Sequence, residues 1–370
     1  MGDRGAMEYI SGFRRPELIG RVLEAIKEEA GKLDGTVTFM EVCGTHTMAI
    51  ARFGIRSMLP ENIRLISGPG CPVCVTPNPY IDRAIAISRL SDVIVATFGD
   101  MMRVPGSSSS LERERANGAD VRVVYSTIDA LQIARDNPFK KVVFLGVGFE
   151  TTAPTVASAA KLAREEGLTN FYILSAHKTI PPAMEALGEA EDVNLDGFIC
   201  PGHVSTIIGS RPYEPIARKH KLPCVIAGFE PLDILLAVWM LLRQVNEGRA
   251  EVEIEYSRVV KPEGNPKAVK VMMEVFEPCD STWRGIGTIP GSGLKLREEF
   301  YEMDAEEAFD VEVEPTREHP GCICGQILRG VKEPTDCPLF GKVCTPRTPV
   351  GACMVSSEGT CAAYYKYGVG

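Results

Sequence analysis

A chain of 370 residues that is 45% hydrophobic can bury more than one core, and its length points to two or three globular domains. The net charge of -9 comes with no compensating basic run, which argues against an extended nucleic-acid footprint. The first twelve residues carry charges and glycines where a signal peptide needs an apolar stretch, and the longest apolar run, 234–242, is too short to span a bilayer; the expectation is a cytoplasmic protein without a membrane partner, whose thiols stay reduced unless catalytic or metal-bound.

Residues 16–32 place Leu18, Ile19, Val22, Leu23 and Ile26 on one helical face, so 1–35 reads as a helical lead-in. A β-branched, apolar run at 36–42 then predicts a buried strand, which delivers Cys43-Gly-Thr-His46 at its C-terminal end. A second strand at 63–66 delivers the turn-rich Ser67-Gly-Pro-Gly-Cys71-Pro-Val-Cys74. The pattern continues with a helix over 80–90, a strand over 93–97, a polar serine loop at 107–110 and a strand over 121–125. These elements make a first α/β domain, 36–135.

The alternation begins again in a second α/β domain, 136–248. Strands at 141–147, 171–174, 197–199 and 224–227 lead to Glu150, His177, Cys200-Pro-Gly-His203 and Glu230, and a helix covers 231–245. Strands alternating with helices predict two doubly wound parallel-sheet units, in which ligands bind beyond the carboxyl ends of the strands. Cys43, His46, Cys71, Cys74, Glu150, His177 and His203 all fall at such ends, including three of the five histidines. From 249 the texture changes. Half-exposed alternation at 251–256, a strand at 269–276 and turn residues at 285–293 predict a third domain, 249–370, which ends in a cysteine-rich segment.

That segment holds Cys322, Cys324, Cys337, Cys344, Cys353 and Cys361, six of the chain's twelve cysteines. All lie within two residues of glycine or proline, which turn the backbone so that amides point at a bound group. An iron-sulfur cluster needs four thiolates and tolerates varied spacing, leaving two for a redox dithiol. Zinc favours two close Cys-x2-Cys pairs, which are not present, and a disulfide framework suits small secreted chains. Cys71-Pro-Val-Cys74 closes a small disulfide easily, and half of a zinc site is its alternative. Cys43 and His46 make a pair suited to Fe(II) or to nucleophile-and-base chemistry, against the alternative of a buried cysteine beside a hydrogen-bonded histidine. Gly146-Val-Gly148 lacks the third glycine of a dinucleotide fingerprint, and Glu150-Thr-Thr reads as the cap of the helix that follows.

Taken together, Cys43-Gly-Thr-His46, the 67–76 turn, Gly148-Phe-Glu-Thr-Thr-Ala-Pro154, Pro201-Gly-His-Val-Ser205 and the tail from Cys337-Pro-Leu-Phe-Gly to Cys361-Ala-Ala-Tyr-Tyr closely resemble the HypD family of nickel-iron hydrogenase formation factors. The resemblance runs from about residue 36 to the C-terminus. It implies an assembly scaffold rather than a turnover enzyme. Such a scaffold pairs with the small chaperone HypC and receives cyanide from HypE, with HypF upstream. It holds iron while this becomes the Fe(CN)2CO unit, which reaches the hydrogenase large subunit indirectly.

Carried onto this sequence, Cys43 is the iron-holding thiolate, and Cys71 and Cys74 are the thiol pair beside it. The tail holds a 4Fe-4S cluster in surroundings similar to ferredoxin:thioredoxin reductase. Cys322, Cys337, Cys344 and Cys361 are the expected ligands and Cys324 with Cys353 the dithiol, since a Cys-x-Cys pair can turn one sulfur inward and one outward. The competing classes are an iron-sulfur thiol-disulfide oxidoreductase and a zinc-stabilised nucleotide-binding protein.

Overall fold

The computed structural model describes residues 12–368, so the segment read for a signal peptide lies almost wholly outside them. Its strands are β1 (Val37–Glu41), β2 (Ile63–Ser67), β3 (Val93–Thr97), β4 (Val121–Val123), β5 (Lys141–Gly146), β6 (Phe171–Ser175), β7 (Gly197–Pro201), β8 (Cys224–Ala227), β9 (Val252–Ile254), β10 (Phe276–Trp283) and β11 (Gly287–Leu296). Among the helices packed on them are α1 (Pro16–Ala30), α2 (Gly44–Arg52), α3 (Asn78–Ser88), α4 (Ala153–Glu165), α5 (Ile180–Glu189), α6 (Pro231–Asn246), α7 (Pro266–Val275) and α8 (Thr360–Tyr367). None of the described helices is long and apolar enough to cross a membrane.

Two parallel sheets result, as the α/β alternation requires. One has the order β2-β1-β7-β8-β9 and the other β4-β3-β5-β6. The strands do not sort in the order of the chain. The chain leaves the first sheet after β2, builds the whole second sheet, and returns to add β7 beside β1. The expected boundary between 135 and 136 therefore runs through one sheet, because β3 pairs with both β4 and β5.

After 249 one expectation holds and two are corrected. The alternating run at 251–256 is the expected half-exposed strand, β9, which forms the edge of the five-stranded sheet beside β8. Residues 269–276 are mostly helix. Asn265 caps α7 by accepting the N–H of Ala268, Pro266 takes the first turn, where its missing N–H costs nothing, and Met272 and Val275 share the buried face. The β-branched residues hid these start signals. The turn-rich stretch becomes β11, antiparallel to β10 with a bulge between Cys279 and Ser281.

The core explains where the tail sits. Phe39, Ile199 and Val225 face α1 and α6, in one cluster with Ile26, Leu235 and Leu241. Alternate residues of the same strands, Met40, Phe198 and Ile226, point the other way and pack with Ile327, Leu328, Cys353 and Met354. The cysteine-rich tail is thus a cover for the second face of the five-stranded sheet, and not a core of its own.

Candidate functional site

In each sheet the strand order reverses once, between β1 and β7 and between β3 and β5. Loops leaving neighbouring strands at such a point diverge and open a crevice. Here both reversals face one crevice of about 460 Å³, lined by Cys43, Gly70 and His203 from the five-stranded sheet, Asp100, Gly148 and Phe149 from the other, and Ser356 and Glu358 from the tail.

Cys43 has extended backbone and occupies the N-cap of α2. Its N–H donates to Glu41 Oε2 at 3.1 Å, and the other Glu41 oxygen accepts the Thr47 hydroxyl. Burial lifts the Glu41 carboxyl to about 7. The turn carrying Cys71 presses directly on this backbone. A Cβ on Gly70 would lie 2.2 Å from the Cys43 nitrogen, so only glycine fits. The Cys43 thiol is pushed up to about 12, first by burial and then by the Glu358 carboxylate, against the opposing backbone amides of His46 and Thr45. At neutral pH this sulfur therefore keeps its proton, and any cation that bound it would have to displace that proton.

The His46 ring does not join Cys43 in the crevice. It is fully buried, its Nε2 meets Gly228 O at 2.8 Å and Ala227 O at 3.3 Å, and burial lowers it to about 4. Only its backbone N–H faces the sulfur. Phe229 lies against the ring at 4.8 Å between centroids, and His203 stacks on that phenyl at 4.0 Å. His203 is the histidine that lines the crevice.

Cys71 caps the single turn Pro72–Val75, its Sγ accepting the Cys74 N–H at 3.3 Å, and the two sulfurs lie 2.6 Å apart. Cys74 Sγ reaches Ala352 O at 3.9 Å and bears on Cys353, which lies 2.8 Å from Cys324 sulfur to sulfur. All six tail cysteines then line one small pocket, walled by Ile327, Leu339, Phe340 and Met354.

This donor set fits a 4Fe-4S cluster. The pocket offers six thiols where four are needed, its walls are apolar, and the Val350 N–H points at Cys344 Sγ at 3.4 Å. A Cβ on Gly351 would sit 2.8 Å from Cys322 Sγ, so the backbone closes on the sulfurs only because that side chain is absent. Zinc fits less well. Among the described residues, three metal-capable atoms come within 4.8 Å of one another only at Glu185, Glu189 and His220, whereas four thiolates on one zinc must crowd that closely.

Other residues singled out from the sequence lie elsewhere. Glu150 is buried and accepts the N–H of Ile180 at 2.9 Å, so it serves the start of α5 and not the helix that follows it in sequence. His177 is buried at a different cavity, its Nδ1 paired with Ser175 Oγ at 3.1 Å. The crevice also contains groups that sequence reasoning passed over. Ser356 donates to Asp100 at 2.8 Å, and Glu358 accepts from Thr45 at 2.7 Å. No spacing signal links 356–358 to residues more than 250 positions earlier.

Comparison with known proteins bears on the whole chain. Residues 17–368 match the family model for HypD, described as the hydrogenase formation hypA family. The chain is 51% identical to hydrogenase maturation factor HypD2 of Bradyrhizobium diazoefficiens, across 98% of this chain and 97% of that one. It is 50% identical to hydrogenase maturation factor HypD of Cupriavidus necator over the same shares, and 48% to that of Rhizobium leguminosarum over 98% and 96%.

Proposed function

The chain belongs to the HypD family of hydrogenase maturation factors, and on that premise we propose that it is the scaffold on which the Fe(CN)2CO unit of a nickel-iron hydrogenase is assembled. Iron is the cargo. Cys43 supplies one thiolate to it, and a cysteine from a small HypC-type partner supplies another through the mouth of the crevice. A HypE-type protein brings cyanide bound to sulfur.

The contact that carries this reading is the Cys71–Cys74 sulfur pair at 2.6 Å, on the turn packed against Cys43, with Cys74 bearing on Cys353. Oxidising this pair to a disulfide releases two electrons and two protons. Cleaving a sulfur–cyanide bond takes two electrons and one proton, returns the donor thiol and leaves cyanide for the iron, while the second proton goes to solvent. Thiol-disulfide exchange with Cys353 and Cys324 then restores Cys71 and Cys74. A 4Fe-4S cluster on Cys322, Cys337, Cys344 and Cys361 would relay, one at a time, the two electrons from an external one-electron donor that reset the Cys324–Cys353 pair, with two protons taken from solvent.

The test is anaerobic purification with the HypC- and HypE-type partners, followed by iron analysis and infrared spectroscopy. Iron beyond the cluster, with cyanide and carbonyl bands, is the expected result. Cluster iron alone, without those bands, would leave an iron-sulfur thiol-disulfide oxidoreductase. Crosslinks from the HypC-type partner should fall on the crevice, over a transient interface of about 1,600 Å² in total; crosslinks confined to residues 251–309 would contradict this docking.

A further inference from the structure

A second cavity, of about 400 Å³, opens where the end of β6 meets the β10–β11 hairpin, and it shares no lining residue with the Cys43 crevice. Lys178 lies in its wall with 2% of its surface exposed. The ammonium donates to Ser281 Oγ at 2.6 Å and to Thr282 O at 2.8 Å, and rests 5.4 Å from the centre of the Trp283 ring. No carboxylate makes an ion pair with it among the described residues, and its third N–H has no acceptor there. Burial lowers its pKa to about 8, and the neighbouring Cys279 sulfur, itself a thiol held above its ordinary pKa by burial, supplies no counter-charge at neutral pH. Buried cations are ordinarily paired, because the desolvation cost is otherwise uncompensated.

His177 supplies a second unpartnered position, at an atom enclosed by its neighbours. It lines the same cavity, is 1% exposed, and its Nε2 has no hydrogen-bond partner. The protonation follows from its neighbours. The Ser175 hydroxyl gives its hydrogen to Leu294 O at 2.7 Å, so its oxygen must accept from His177 Nδ1–H at 3.1 Å. That tautomer leaves Nε2 as a bare acceptor. The cavity therefore presents a cation short of an anion and an acceptor short of a donor. Asp280, Asp304, Glu306, Arg83 and Lys295 also line it; Arg83 pairs with Glu306 and Lys295 with Glu277, so among the described residues Lys178 is the lining cation left without a carboxylate, which matches a single negative charge.

We propose that this cavity is a second ligand site, which takes a small monoanion carrying its own hydrogen-bond donor, of the chemistry of bicarbonate, with Lys178 as its cation and His177 Nε2 receiving the donor. Trp283 beneath the ammonium reports occupancy. The chain has two tryptophans, so a Trp239→Phe background isolates its fluorescence.

In that background, bicarbonate titrated at constant ionic strength should give a saturable change in emission and raise Tm. Nitrate, a monoanion without a donor, should require at least tenfold higher concentration. Lys178→Met, confirmed folded by circular dichroism, should lose the response. The proposal is overturned if bicarbonate gives no saturable change, if nitrate matches it, or if folded Lys178→Met responds as the parent does. Should Lys178→Met not fold, the bicarbonate-against-nitrate comparison on the parent decides the matter alone.

Discussion

The hydroxyl of Thr45 donates to the Glu358 carboxylate at 2.7 Å, tying the helix that starts at Cys43 to a residue 313 positions later. Gly44 lies so close to the same residue that an added Cβ would stand 2.6 Å from Glu358 Cβ. Cys43 and the cysteine-rich tail were expected in separate domains. They are adjacent, so which substitution is made beside Cys43 decides whether the tail feels it.

Cys43→Ala only deletes a sulfur and should cost roughly 1 kcal/mol. It should keep the brown absorption of the tail yet never acquire cyanide and carbonyl bands. Cys43→Ser should behave almost as badly, since a neutral hydroxyl is a hard, weak ligand for Fe(II). Gly44→Ala inserts a methyl against Glu358 and should cost about 1–3 kcal/mol, with a disturbed visible spectrum. Thermal denaturation and absorption under anaerobic conditions check the pair; equal behaviour of Gly44→Ala and wild type would disprove the close approach.

Glu358→Gln should make Cys43 more reactive. Burial is the larger cause of its raised pKa and remains, but the second cause, the Glu358 charge, is removed. The thiol then titrates lower, while still above an ordinary cysteine. Peptide mapping after timed iodoacetamide treatment between pH 8 and 9 should show faster labelling of Cys43. An unchanged rate would mean that the carboxylate does not act on this sulfur.

Among the tail cysteines, alanine at Cys322, Cys337, Cys344 or Cys361 should abolish the chromophore. Alanine at Cys324 or Cys353 should retain it and remove one oxidisable pair from the thiol count. The 2.8 Å contact between Cys324 and Cys353, and the approach of Cys74 to Cys353, put this pair on the side of Cys74. If Cys324→Ala loses the colour and Cys322→Ala keeps it, the two sulfurs exchange roles.

Glu150 makes stability depend on pH. Burial raises its carboxyl from 4.5 to about 7, so the folded protein holds this proton more tightly than the unfolded chain does. Its contribution to stability is intact below pH 4.5, is lost as the pH rises through 7, and then stays lost, a difference of roughly 3 kcal/mol. Glu150→Gln carries no such dependence. The Tm of the variant relative to wild type should therefore climb between pH 5 and pH 8; a constant offset would show that the carboxyl is ionised throughout.

The sequence by itself determined the parallel α/β class, because uninterrupted runs such as 37–41 and 93–97 suit only strands covered on both faces. It also placed Cys43 at a strand end and Cys71 with Cys74 on one glycine-rich turn, since these follow from local chain geometry. Which strands are neighbours was decided only in three dimensions. Every strand offers the same backbone donors and acceptors, so nothing local says that β1 pairs with β7 across a whole intervening sheet. The direction of His46 was likewise hidden. The first turn of α2 swings its ring away from Cys43 toward Gly228, leaving only its N–H at the sulfur. Nor could spacing bring Glu358 to Thr45 or Lys178 to Ser281, because those contacts depend on how whole elements pack, and packing is set by the summed burial of many side chains.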